Sequence, residues 1–164
     1  MTDEPRSQPT VIHGKLLAAD ARVAVVVSRF NDFLTAHMLD AAITTWQRLG
    51  GDPGDLTVAH VPGSLELAVT AKKLAETGDF QAVICLGCII RGQTSHHVHV
   101  CEQTAEGIRQ VGTQTGVPCI FGVITADTLD QAINRAGAKS GNQGQSAMLA
   151  GIEMANLLRQ IDER

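Results

Sequence analysis

The segment richest in chemistry is Gly87-Cys88-Ile89-Ile90-Arg91-Gly92-Gln93-Thr94-Ser95-His96-His97, followed closely by His99. Imidazole is the side chain best suited to exchange protons near neutral pH. A helix starting here would add free N–H groups and hydroxyls, a ready anion site. The phosphate loop pattern GxxxxGK[ST] is absent. His96, His99 and Glu102 share one helical face, a spacing that suits a metal, but no distant ligand completes the set. The bland reading is a solvated helix start.

Three further groups could act with it. Ser28-Arg29-Phe30-Asn31 puts a large apolar ring where a polar turn is expected. Phe30 is either a staple onto the next helix or a stacking surface for a planar ligand. Val61-Pro62-Gly63-Ser64-Leu65-Glu66 offers a shaped turn and a carboxylate. That carboxylate suits a polyol or merely complements a helix N-terminus. Arg135-Ala136-Gly137-Ala138-Lys139 sets two cations beside a Gly-rich break, either for phosphate or for solvent.

Cys85 and Cys88 form a CxxC. If the strand at 80–86 continues, positions three apart point to opposite faces, against a shared metal or disulfide. With Cys101 and Cys119 they read as small buried hydrophobes in a reducing compartment.

The elements that position these groups alternate. RVAVVVS (22–28), LTVAHV (56–61), FQAVICLG (80–87) and CIFGVI (119–124) read as buried strands, and a short strand is expected at 11–17. Helices are expected over Asp32–Leu49, Glu66–Thr77, 97–115, Thr128–Ala136 and Gln145–Gln160. Asn31 suits an N-cap, and Thr128 with Gln131 suits a capping box. Inward positions are Leu34, Met38, Ala41, Thr45 and Leu49, then Leu67, Ala71 and Leu74, then Cys101, Ala105, Ile108 and Val111. Residues 1–10 read as a disordered tail and 11–164 as one domain. Continuous apolar strands between helices imply a parallel sheet covered on both faces. Ligands in such folds sit at the carboxyl ends of the strands.

Composition agrees with one α/β domain. The chain has 164 residues, 44% of them apolar, and a net charge of −4. Without basic runs, neither nucleic acid nor an anionic membrane is expected as the partner. Aromatics are 3% with no Tyr, a poor base-stacking platform. No stretch approaches the roughly 18 apolar residues of a membrane span. The polar start MTDEPRSQPT has no signal-peptide segment, so a cytoplasmic location is expected.

Together VVVSRFNDFLT, VPGSLE, AKKLAETGDFQAVICLGCIIRGQTSHH, TGVPCIFGVIT, INRAGAKSGNQG and GIEMANLL closely resemble the lumazine synthase family, over about 11–160. The resemblance implies a flavodoxin-like three-layer sandwich around a four-stranded parallel sheet. It implies homopentamers with sites between adjacent subunits, and an N-terminal segment able to add a strand to the neighbour's sheet. The short Gly137–Gly144 segment is similar to that of members forming sixty-subunit shells, and riboflavin synthase is a candidate partner. The implied reaction joins 5-amino-6-(ribitylamino)uracil to 3,4-dihydroxy-2-butanone 4-phosphate, giving 6,7-dimethyl-8-ribityllumazine, phosphate and water. No metal or organic cofactor is implied.

Carried over by position, the resemblance gives His96 the proton shuttle and Arg135 the pairing with phosphate. Phe30 would stack on the uracil and Asn31 would line the pocket. Ser64, Leu65 and Glu66 would hold the ribityl chain. Backbone groups at Cys88, Ile89 and Ile90 would read the pyrimidine edge. Gln93 and Thr94 would bind the butanone phosphate, and Lys139 and Gln143 would also contact substrate. Phe121 would come from the neighbouring subunit. The chain departs from the common pattern at Leu65, where an aromatic is frequent, and at His97, Val98 and His99. It departs again at Gln143, where Lys is common, and at Ser146, where a carboxylate is. These changes keep a second class open, a divergent member that binds lumazines or flavins, or forms a shell, with little catalysis. A flavodoxin-like electron carrier is a third class, resting on fold alone.

Overall fold

The β-branched run at Val23–Ser28 forms strand β1 at the centre of a sheet, buried on both faces. A computed structural model describes residues 8–139 and 141–164. Element order is β1, α1 (Asp32–Arg48), a 3-10 turn at Pro53–Asp55, β2 (Leu56–Val61), α2 (Glu66–Ala75), β3 (Ala82–Ile90), α3 (His96–Thr115), β4 (Cys119–Ala126), α4 (Leu129–Arg135) and α5 (Gln143–Asp162). All four strands are parallel, in the order β2-β1-β3-β4.

The strand period of two sorts the core into two layers. Val23, Val25 and Val27 of β1, with Ile84, Leu86 and Cys88 of β3, pack with Trp46 of α1 and Met148 and Ile152 of α5. Ala24 and Val26, with Val83 and Cys85, pack with Leu67 of α2 and Ile108 of α3. This is the expected three-layer, flavodoxin-like sandwich. Each large side chain so buried contributes roughly 1.5–3 kcal/mol. Cys85 and Cys88 lie on opposite faces of the sheet, as their spacing predicts.

Several expectations need correction. Where the periodicity favours Ala41, Ala42 is buried instead, and Leu49 packs as expected against the core beside a fully buried Trp46. Its indole N–H donates to the Asp52 carbonyl at 3.0 Å, so the polar end of the largest core side chain is satisfied. A β-carbon at Gly51 would run into that ring. In α3 the inward residue is Thr104, and Ala105 is exposed. β3 continues to Ile90, three residues further than expected, because β4 pairs with it as far as Ala126. α5 begins at Gln143, since the Asn142 side chain accepts from the Gly144 and Gln145 N–H groups at 2.8 and 3.3 Å. At α4 Thr128 caps Gln131, but Gln131 reaches back to the Asp127 N–H, one residue before the cap.

Residues 11–17 form no strand in the single chain. They run along α5, whose side chains take their carbonyls. Asn156 donates to Lys15 and Leu17 at 2.8 Å each, and Gln160 to His13 at 2.8 Å. The disorder expected of residues 1–10 concerns mainly positions outside the described residues, and 8–10 carry no helix or strand. No helix among the described residues is long and apolar enough to cross a membrane.

Candidate functional site

Strand order reverses between β1 and β3, and in parallel sheets ligands bind beyond the carboxyl ends at such a point. A cavity of about 340 Å³ lies there. Phe30 comes from the turn after β1. Gly63, Ser64, Leu65 and Glu66 come from the β2–α2 turn. Cys88, Ile89 and Ile90 come from the end of β3, and Gly92, Thr94, His96, His97 and Val100 from the approach to α3 and its first turns.

Phe30 does not staple α1. Phe30 is 69% exposed, leaving an apolar surface largely open among the described residues. The turn behind it is fixed instead. The Arg29 and Phe30 N–H groups donate to the Val61 and Pro62 carbonyls at 2.8 and 3.1 Å. The Ser28 hydroxyl donates to the Phe30 carbonyl at 3.3 Å. The β1 and β2 turns are therefore one unit.

Asn31 occupies the N-cap position of α1, yet its side chain caps nothing. It is also absent from the cavity lining. Its amide N–H donates to the Cys88 carbonyl at 2.9 Å across the gap between β1 and β3. It sits in the left-handed region, φ 60, ψ 44, where among the described non-glycine residues it is alone.

β3 pairs with β1 as far as Leu86, and with β4 as far as Ile90. Residues 88–90 thus keep an edge towards the cavity without a strand partner. In a parallel strand the N–H and C=O of one residue point to the same neighbour. Arg91 donates to Ala126 on the β4 side, and the Cys88 carbonyl takes Asn31 on the β1 side. By alternation the Cys88 N–H and both polar groups of Ile90 face the open side. Of the backbone groups expected at Cys88, Ile89 and Ile90, those of Ile89 turn towards β4 and the Cys88 carbonyl already has a partner. Burial pushes the Cys88 thiol up to about 11, so it is protonated at neutral pH.

Gly87 lets β2–α2 approach this edge. A β-carbon there would stand 2.8 Å from the Ser64 hydroxyl and 3.2 Å from Leu67. The Glu66 carboxylate folds towards its own turn, and a β-carbon at Gly63 would lie 3.1 Å from Glu66 Oε2. Thr94 organises the start of α3. Its hydroxyl accepts from the His96 N–H at 3.4 Å, and its carbonyl lies 3.1 Å from His97 Nδ1. A carbonyl only accepts, so Nδ1 of His97 is the donor in this contact.

The single chain does not gather every expected residue. Gln93 lies beside the cavity in sequence but does not line it. Arg135 ends α4, and its guanidinium donates to Gln143 Oε1 at 2.8 Å. Lys139 lies in the exposed turn between them. Phe121 is on β4 opposite Cys85, near the strand's beginning and away from the carboxyl ends, and is 37% exposed. Among the described residues no three His, Cys, Asp or Glu are grouped to hold a metal, so His96, His99 and Glu102 do not form the site their spacing suggests. Conversely, Gly63, Gly92, His97 and Val100 line the cavity without having been assigned a role. Val100 follows His96 by four residues, a helical spacing that points to the same face.

Residues 20–159 match the family described as 6,7-dimethyl-8-ribityllumazine synthase. The chain belongs to that family.

Proposed function

We propose, from that membership, that the protein is a 6,7-dimethyl-8-ribityllumazine synthase of riboflavin biosynthesis. It would condense 5-amino-6-(ribitylamino)uracil with 3,4-dihydroxy-2-butanone 4-phosphate. The observation that carries the reading is the juxtaposition, in one cavity, of an uncovered Phe30 ring, the open β3 edge at Cys88–Ile90, the Glu66 carboxylate and His96 at the start of α3.

These groups divide the labour by chemistry. The planar pyrimidine lies against Phe30, and its amide-like edge meets the Cys88 N–H and the Ile90 backbone. The ribityl hydroxyls donate to Glu66. The phosphate of the second substrate reaches the first turn of α3, where Thr94 and the positive end of the helix dipole favour an anion. Arg135, Lys139, Gln143 and Phe121 lie outside the single-chain cavity. Their participation requires a second copy, and we place the site between subunits of a homopentamer.

The primary amine of the uracil attacks the butanone carbonyl, and loss of water gives the imine. Removal of a carbon-bound proton expels phosphate as the C–O bond breaks. The resulting enol takes a proton to give a ketone, which the ribityl-bearing nitrogen attacks. A second loss of water closes the ring. His96 accepts and returns the protons in these steps. Holding two substrates in register is worth several kcal/mol of barrier, so orientation supplies much of the rate.

The test is a mixing assay on the purified protein with both substrates, following lumazine absorbance and phosphate release above the uncatalysed rate. Product that falls about 10²–10⁴-fold in His96→Ala, with assembly unchanged, supports the reading. No product from the assembled wild type overturns it.

A further inference from the structure

From the backbone at the end of β1 we infer that Asn31 is a positioning residue: its left-handed turn and its bond to Cys88 aim Phe30 over the open β3 edge. The inference rests on the proposed reading of the cavity and gives its pyrimidine side a mechanical origin.

β1 and β3 run side by side through Val27 and Leu86. The next β3 carbonyl facing β1, that of Cys88, would ordinarily take an N–H from a longer β1. The Asn31 carboxamide takes that place at 2.9 Å. The side chain thus supplies the last rung of the ladder while the main chain leaves the sheet. It leaves because Asn31 adopts φ 60, a left-handed conformation that Asn, Asp and Gly enter far more readily than other residues. Phe30, one residue earlier, is held from the other side by the Pro62 carbonyl and the Ser28 hydroxyl. The ring is therefore exposed yet carried on a backbone fastened to both β2 and β3. Departure of the chain at Asn31 also leaves Ile90 without a β1 partner. One residue both opens the edge and sets the surface above it.

A helix cap would explain the residue type equally simply, but the side chain makes no cap bond. The Asn31 N-cap carbonyl still accepts from Leu34 and Thr35 at 2.9 and 3.1 Å, so α1 begins without help from the carboxamide.

The experiment compares Asn31→Gly, which keeps the left-handed turn and loses the tether, with Asn31→Ala, which loses both. The full-length protein carries 4-fluorophenylalanine at its phenylalanines, with the Phe30 signal assigned by Phe30→Leu. Fluorine line width reports the ring, and amide hydrogen exchange reports residues 88–90. Neither readout needs turnover. Steady-state assays give KM for each substrate. The expected result for Asn31→Gly is an altered Phe30 line, faster exchange at Cys88–Ile90, and KM for the ribitylaminouracil raised roughly five- to tenfold, the weight of one hydrogen bond. KM for the butanone phosphate and the assembly state should stay at wild-type values, and Asn31→Ala should shift further in the same direction. An unchanged fluorine line and unchanged exchange in Asn31→Gly overturn the inference. Equal rises in both KM values with loss of assembly also overturn it, in favour of a general structural role. A wild type without synthase activity refutes the proposed reaction, while the line width and exchange still decide the tether.

Discussion

The Arg135 guanidinium donates to Gln143 Oε1 at 2.8 Å, bridging the end of α4 and the first residue of α5. Arg135, expected on the phosphate, and Gln143, expected to contact substrate, are thereby engaged with each other across a Gly-rich turn. Gln143→Lys replaces the acceptor with a cation. We expect the variant to fold normally and to lower KM for the butanone phosphate a few-fold at low ionic strength, the scale of about 1 kcal/mol for a solvent-exposed charge. The gain should fade as salt rises. A KM that is unchanged at low salt counts against a phosphate role for this pair.

Gly87 separates β3 from the β2–α2 turn. Gly87→Ala would press on Ser64 and Leu67 and should cost about 1–3 kcal/mol of stability by overpacking. Urea denaturation measures that cost. Weaker binding of a ribityl-bearing ligand should accompany it, because Ser64 is the group displaced.

Much of this arrangement is legible from the residues alone, for definite reasons. The run Val23–Val27 has no reading other than a doubly covered strand. The i, i+4 spacing of Leu67 and Ala71 fixes the face of α2. Cys85 and Cys88 separate by strand parity. Other features depend on partners distant in sequence. Nothing near Asn31 announces that its side chain will bond a carbonyl 57 positions away. Local rules favour the cap, and the sheet overrides them. Trp46 is inward because Gly51 and the Asp52 carbonyl receive its ring, which a helical wheel does not contain. Residues 11–17 have strand-like composition, and the amides of Asn156 and Gln160 decide their course. Phe121 and Arg135 are expected at the site, yet one chain alone leaves them away from the cavity.

The thiols predict an alkaline response. Burial raises Cys88 and Cys119 from 9.0 to about 11 each. The folded state then holds these protons more tightly than the unfolded chain does. This stabilisation is complete below pH 9 and is lost as pH climbs towards 11, by roughly 1–2 kcal/mol per thiol after allowance for solvent. Denaturation midpoints measured across that window should fall in the wild type and fall less in Cys119→Ala. Iodoacetamide should label both thiols slowly at pH 8 in the folded protein and readily in urea.

Asn156 fastens the N-terminal segment. Its amide nitrogen serves the Lys15, Leu17 and Ile152 carbonyls, and its Oδ1 accepts from Arg159 at 2.6 Å. Asn156→Ala should cost about 1–2 kcal/mol, since two hydrogen bonds from the N-terminal segment to α5 are lost. It should also speed proteolytic cleavage between residues 8 and 17 before the sheet unfolds. Cleavage at the wild-type rate would mean that the segment is held elsewhere.

The chain contains one indole and no phenol. Ultraviolet excitation near 295 nm therefore lights a single chromophore, Trp46, sealed in the α1–α5 layer. Its emission should be blue-shifted and nearly immune to iodide quenching. A ligand absorbing in the near ultraviolet, bound beyond the strand ends, would read out as energy transfer from that one donor. Its efficiency would report the distance from Trp46 to the cavity, each subunit of an assembly contributing one such donor.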